Sequence, residues 1–263
     1  MRYLKSFPND AAIQTAVDSK ELGKPYVALN ESAGTIDWDS KEPDYTKMYM
    51  TVEALESGDF YVRKSGIGYS VNGGAWETTT GATTLSLNQG DAVRFKKNTY
   101  TESHGNQIDF TGNTISFVVY GNVESMEYGD EFVGKNTIKY QECFRGLFFN
   151  CSGLTDASNL ILPALTLKER CYQTMFTNCI KLTTAPELPA TTLAGYCYQT
   201  MFSGCVKLNY VKCLATNISA TSCTGVWLRD VSSTGTFVKA AGMNSWTTGN
   251  AGIPSGWTVI DAQ

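Results

Sequence analysis

Eight cysteines and one histidine hold most of the nucleophilic and metal-binding potential of this 263-residue chain. All eight cysteines lie between Cys143 and Cys223. Their recurrent Cys-x7-Cys spacing differs from the Cys-x2–4-Cys of structural zinc sites. No cysteine has a histidine nearby in sequence to act as its base, so a catalytic thiol is not expected. The spacing instead suits buried thiols packed as small hydrophobes. One alternative stays open: stacked copies would bring Cys171 and Cys197 within the Cα separation of roughly 4.4–6.8 Å that a disulfide needs. His104 sits in a polar loop and reads as a surface residue. The acidic stretch over 37–44 has Lys41 and Glu42 where a calcium loop needs a ligand and a glycine, so it reads as a solvated connector. Gly66, Gly68, Gly73 and Gly74 are followed by strand-like residues, not by the helix a phosphate loop requires.

Composition narrows the function classes further. Net charge is −4 and the isoelectric point about 5.1, a poor basis for binding phosphate backbones. Five basic residues (Lys168, Arg170, Lys181, Lys207, Lys212) face two acids (Glu169, Glu187) across 165–225, which describes a solvated surface. Tyr172 and Tyr198 recur at matching positions. Turned outward with Lys181 and Lys207 they would make a recognition surface; turned inward they are core. No catalytic residue, metal site or cofactor is expected.

The elements that must position these residues fall into regions. Residues 1–45 read as a small docking segment. A short helix over 11–17, capped by Asn9 or Asp10, precedes strands at 26–29 and 35–38 joined by a turn at 32–34. Residues 46–120 carry about seven short strands separated by turn residues, including an Asn72-Gly73 hairpin signal, and predict a β-sandwich without a pinning disulfide. The longest apolar runs span four residues, against about 20 for a membrane helix. No cleavable export signal follows Met1, which predicts synthesis in the cytoplasm and, there, free thiols.

The region after 120 repeats. Cys143, Leu147, Phe148, Cys151 and Leu154 align with Cys171, Met175, Phe176, Cys179 and Leu182, and again with Cys197, Met201, Phe202, Cys205 and Leu208, at offsets of 28 and 26. A worn fourth copy starts at Cys223, with Trp227, Leu228 and Val231 in register. Such a period predicts a solenoid over 121–235. The apolar positions within each unit predict one face of a short helix, and the proline-broken links predict short strands. Residues 236–263 read as a C-terminal cap. The fold class expected is α+β, mostly β.

These units resemble the BspA-like leucine-rich repeats, whose Phe-x-x-Cys-x-x-Leu core recurs at Phe148–Leu154, Phe176–Leu182 and Phe202–Leu208. The resemblance implies adhesion or surface recognition without catalysis. The opening segment is similar to short N-terminal segments of structural proteins of tailed phages of gut bacteria. Together they imply a virion protein, namely a head fibre, capsid decoration or tail-associated chain. Its expected partners are other virion proteins through 1–45 and a host protein or glycan through the repeats. A homo-oligomer is compatible with this, and nucleic acid is not an expected partner. The other expectation is a BspA-like adhesin on the bacterial cell surface.

Overall fold

The computed structural model describes residues 43–99 and 109–263, together with the backbone of three earlier strands: β1 (Leu4–Phe7), β2 (Val27–Asn30) and β3 (Thr35–Trp38). β2 pairs with β1 in parallel and with β3 antiparallel. The helix expected over 11–17, the turn at 32–34, His104 and residues 39–42 of the acidic stretch lie outside the described residues. Among those described, the protein is mostly β, in several open sheets with no closed barrel. Among the described residues, helix is confined to α1 (Ser125–Tyr128) and two 3-10 turns.

Seven strands follow one another after residue 49: β4 (Met50–Ala54), β5 (Gly58–Val62), β6 (Ile67–Val71), β7 (Glu77–Thr78), β8 (Thr83–Leu87), β9 (Ala92–Lys97) and β10 (Phe117–Asn122). Alternation decides their faces. Val93 and Phe95 of β9 point into the core, while the alternating Arg94 and Lys96 stay half-buried on the other face. β5 and β8 pair only with each other, and their Phe60, Val62, Leu85 and Leu87 are buried. The Phe60 ring meets Phe95, Phe110 and Phe117 at 6.1, 5.6 and 5.4 Å, so this two-stranded ribbon packs its apolar side on the larger sheet. Asn72 and Gly73 both adopt positive φ, 50° and 76°, in the tight turn between β6 and β7. That is the geometry an Asn-Gly pair favours.

The larger sheet runs β11-β10-β4-β9-β6-β7, with β12 also paired to β10. β11 (Leu154–Asp156) and β12 (Leu160–Ile161) belong to the repeat region, so one sheet spans residue 120. Gly153 shows how closely the two regions meet. A Cβ there would lie 1.7 Å from the Ile115 carbonyl oxygen. The equivalent positions in later copies hold Lys181 and Lys207; the first copy has glycine because the chain leading into β10 lies against it.

The repeats do not contain the expected helices. Residues 143–151, 171–179 and 197–205 form successive turns. Positive φ recurs every fourth residue: at Glu142, Gly146 and Asn150, then Arg170, Thr174 and Asn178, then Tyr196, Thr200 and Gly204, then Ser222, Val226 and Asp230. An α-helix needs uninterrupted right-handed residues, and a left-handed one every four forbids it. Apolar spacings of four and five therefore mark the period of a turn ribbon, which resembles a helix period in sequence.

Hydrogen bonds explain why the ribbon holds. In the first copy the amides of Arg145, Leu147, Phe149 and Cys151 bond back three residues, to the carbonyls of Glu142, Phe144, Gly146 and Phe148. The alternate amides, of Phe144, Gly146, Phe148 and Asn150, bond to the carbonyls of Cys171, Gln173, Met175 and Thr177 in the next copy. Tyr172, Thr174, Phe176 and Asn178 repeat this toward the third copy, and Tyr198, Thr200, Phe202 and Gly204 toward the fourth. The links make parallel bridges, such as Thr137 to Thr166, Thr166 to Thr192 and Thr192 to Asn217. At the far end a parallel sheet follows: β13 (Tyr210–Cys213), β14 (Gly235–Lys239) and β15 (Trp257–Asp261).

Candidate recognition surface

Stacking the copies turns each repeated position into a column. Phe110, Phe148, Phe176 and Phe202 form one, with ring centroids 5.8, 5.6 and 5.4 Å apart and planes within 25° of each other. Phe144, Tyr172, Tyr198, Trp227 and Trp246 form the other, at 5.7, 6.1, 6.2 and 5.5 Å. Tyr172 and Tyr198 are each 1% exposed, which removes them from any recognition surface: ring burial within the column outweighs display of the hydroxyl. The Tyr172 hydroxyl is buried without a hydrogen-bond partner.

Leu147, Met175 and Met201 are fully buried, as are Leu154, Leu182 and Leu208. None of the cysteines is in a disulfide, so the Cys171–Cys197 bridge is not formed; seven are buried and Cys143 is half-buried. The second cysteine of each copy has a specific task. Cys151 Sγ donates to the Phe110 carbonyl at 3.0 Å, Cys179 to Phe148 at 3.1 Å and Cys205 to Phe176 at 3.0 Å. The thiol thus packs as an apolar group and also tethers each coil to the segment before it. Burial pushes the Cys151, Cys171 and Cys213 thiols up to about 12 and raises those of Cys179 and Cys197 as well. Thiols kept neutral this way are poor nucleophiles and poor metal ligands.

Of the four residues expected to form a recognition surface, only the lysines have solvent-accessible side chains. Lys207 is exposed, and half-buried Lys181 donates to Ser116 Oγ at 3.2 Å. Beside them Ile180 and Val206 are 45% and 53% exposed, a pair that the sequence reading did not single out. Their place directly after each buried cysteine was the available signal. A second mixed surface lies on the larger sheet. Tyr49 and Trp76 meet edge to face at 5.0 Å, Lys96 Nζ sits 4.3 Å from the Trp76 ring centroid, and Asp130 accepts from Tyr49 and Lys96. Burial and the Asp130 carboxylate push the Tyr49 hydroxyl up to about 12.

No group of His, Cys, Asp and Glu side chains able to hold a metal occurs among the described residues, and no helix there is long and apolar enough to cross a membrane. The class these observations define is a mostly-β protein whose Cys-rich copies stack coil on coil against a strand-rich region. No family model, curated protein or solved structure matches the chain.

Proposed function

We propose that this chain is a non-enzymatic structural and recognition protein of a virion: a phage head fibre, capsid decoration or tail-associated protein. In this reading residues 1–45 dock on other virion proteins and 46–120 form a β-sandwich spacer. Residues 121–235 make a short leucine-rich-repeat solenoid of the BspA-like kind, closed by a cap at 236–263, that meets a host-surface protein or glycan. The observation that supports it best is the coil-to-coil hydrogen bonding at alternate amides. A stack tied this way is stiff along its axis, and it sets Ile180 and Lys181 one repeat from Val206 and Lys207 on its exterior. Solvent-shielded, neutral thiols suit a scaffold and not a nucleophile.

Deleting residues 1–45 is expected to leave a folded chain that no longer joins particles, checked by mass spectrometry of purified particles beside circular dichroism of the truncated chain. Normal incorporation of the truncated chain overturns the docking role. Recovery of the full chain from bacterial surfaces in the absence of phage replaces the virion reading with the adhesin.

A further inference from the structure

The second aromatic column ends at a cavity. Trp246 stacks on Trp227 with planes 8° apart and also borders a solvent-open cavity of about 220 Å³, with Trp257 and Met243 beside it. Asn244, Thr248 and Ser255 complete much of its wall. The Trp246 indole N–H is buried without a hydrogen-bond partner, a costly state for a desolvated donor. Lys239 also lines the cavity, but it is ion-paired with Asp261, which cancels its charge.

We propose that this cavity is a subsite for one neutral pyranose ring. The volume is below the roughly 300–1,000 Å³ of sites for drug-sized ligands and suits a single ring. An indole wall offers the flat apolar surface that the C–H face of a sugar needs. An amide and two hydroxyl-bearing residues provide the donors and acceptors that its hydroxyls need. The Lys239–Asp261 pair leaves no free cation to select an anion, so a neutral sugar is favoured over a uronate, a sialate or a phosphate. Sequence alone concealed the site because its residues come from β14, from the loop over 243–255 and from β15. The inference rests on the recognition half of the proposed function and is independent of the virion setting.

The test uses the purified full chain, titrated with the methyl glycosides of glucose, galactose, mannose and N-acetylglucosamine. Tryptophan fluorescence and ligand-observed saturation-transfer NMR are the readouts. At least one glycoside is expected to bind in the millimolar range. Ser255→Ala and Thr248→Val, which leave the aromatic column intact, are expected to weaken binding about tenfold, the loss of one hydrogen bond. Trp246→Phe retains a stacked ring and is expected to reduce the fluorescence response together with affinity. Absence of binding by all four glycosides overturns the proposal, as does binding unchanged in the Ser255 and Thr248 variants. Tighter binding of glucuronate overturns the neutral ligand, and tighter binding of p-cresol, standing for a peptide aromatic, overturns the sugar. Particle incorporation is read separately, so failure of the saccharide site and failure of the virion reading are distinguishable.

Discussion

The strands over 50–122 and the coils over 142–231 bury similar side chains by opposite backbone strategies. In the strands, extended residues alternate in and out, and each strand finds its partners sideways. β9, for example, sits between β4 and β6. In the coils the backbone accepts left-handed residues, each costing roughly 1–2 kcal/mol when not glycine. Ten of the eleven non-glycine positive-φ residues described lie in the coils. In return, half of the ribbon's amides are freed to bond along the stack. The strand region is held by pairing and the coil region by register, and a register error in one coil is passed to its neighbours.

The comparison can be broken at the aromatic columns. Phe176→Ala is expected to cost about 3–5 kcal/mol, as large buried rings generally do. Because Phe176 touches Phe148 and Phe202, the loss of amide protection should spread to both adjacent coils in hydrogen exchange. Phe60→Ala should cost a similar amount with the loss centred on β5, β8 and the strands that Phe60 contacts. Equal spreading in both variants would erase the distinction.

Alkaline pH separates the regions next. Unfolded thiols ionise near about 8.5, whereas Cys151, Cys171 and Cys213 in the fold are pushed up to about 12. A raised folded value means the neutral form is favoured by folding. This contribution is therefore complete below the unfolded value and is lost as pH rises toward the folded one. Denaturant midpoints are expected to fall by an amount worth on the order of a few kcal/mol between about pH 8.5 and 11. Cys171→Ala and Cys213→Ala should flatten that slope, and an unchanged slope would remove the thiols as its cause.

Gly153→Lys restores the residue of the later copies and sharpens the view of the junction. Overpacking typically costs about 1–3 kcal/mol, and here the added Cβ meets backbone, the Ile115 carbonyl. The expected result is separate unfolding of the strand and coil regions, seen as two transitions where one is expected for the parent. Tyr172→Phe tests the smallest effect. Removing a buried hydroxyl without a partner should leave the melting temperature unchanged or raise it, by up to about 1 kcal/mol in stability. A clear fall would show that the hydroxyl has an undetected role.

Much of the local structure is legible in the sequence, and the departures have separate physical causes. The Asn72-Gly73 hairpin and the two early strands, expected at 26–29 and 35–38 and found at Val27–Asn30 and Thr35–Trp38, depend on local turn chemistry and composition. The helices expected in the repeats were wrong because a four-residue turn period and a 3.6-residue helix period give nearly the same apolar spacing over nine residues. Asn150, Asn178 and Gly204, which tolerate left-handed φ, recur at one repeat position and were the available hint. For Tyr172 and Tyr198 the sequence left both sides open, because a tyrosine's amphipathic ring is compatible with either, and burial selects the inward one.

Sequence by itself determined the copy number and register of the repeats, the inward place of their cysteines and leucines, and the seven-strand count before them. These follow from periodicity, which needs no knowledge of neighbours. Tertiary structure alone decided that the units are turn ribbons, that the tyrosines stack inside, that β10 joins both regions, and that a tryptophan-walled cavity closes the column. Each of these depends on bonds or contacts between different copies or elements, whose energies a local pattern does not record.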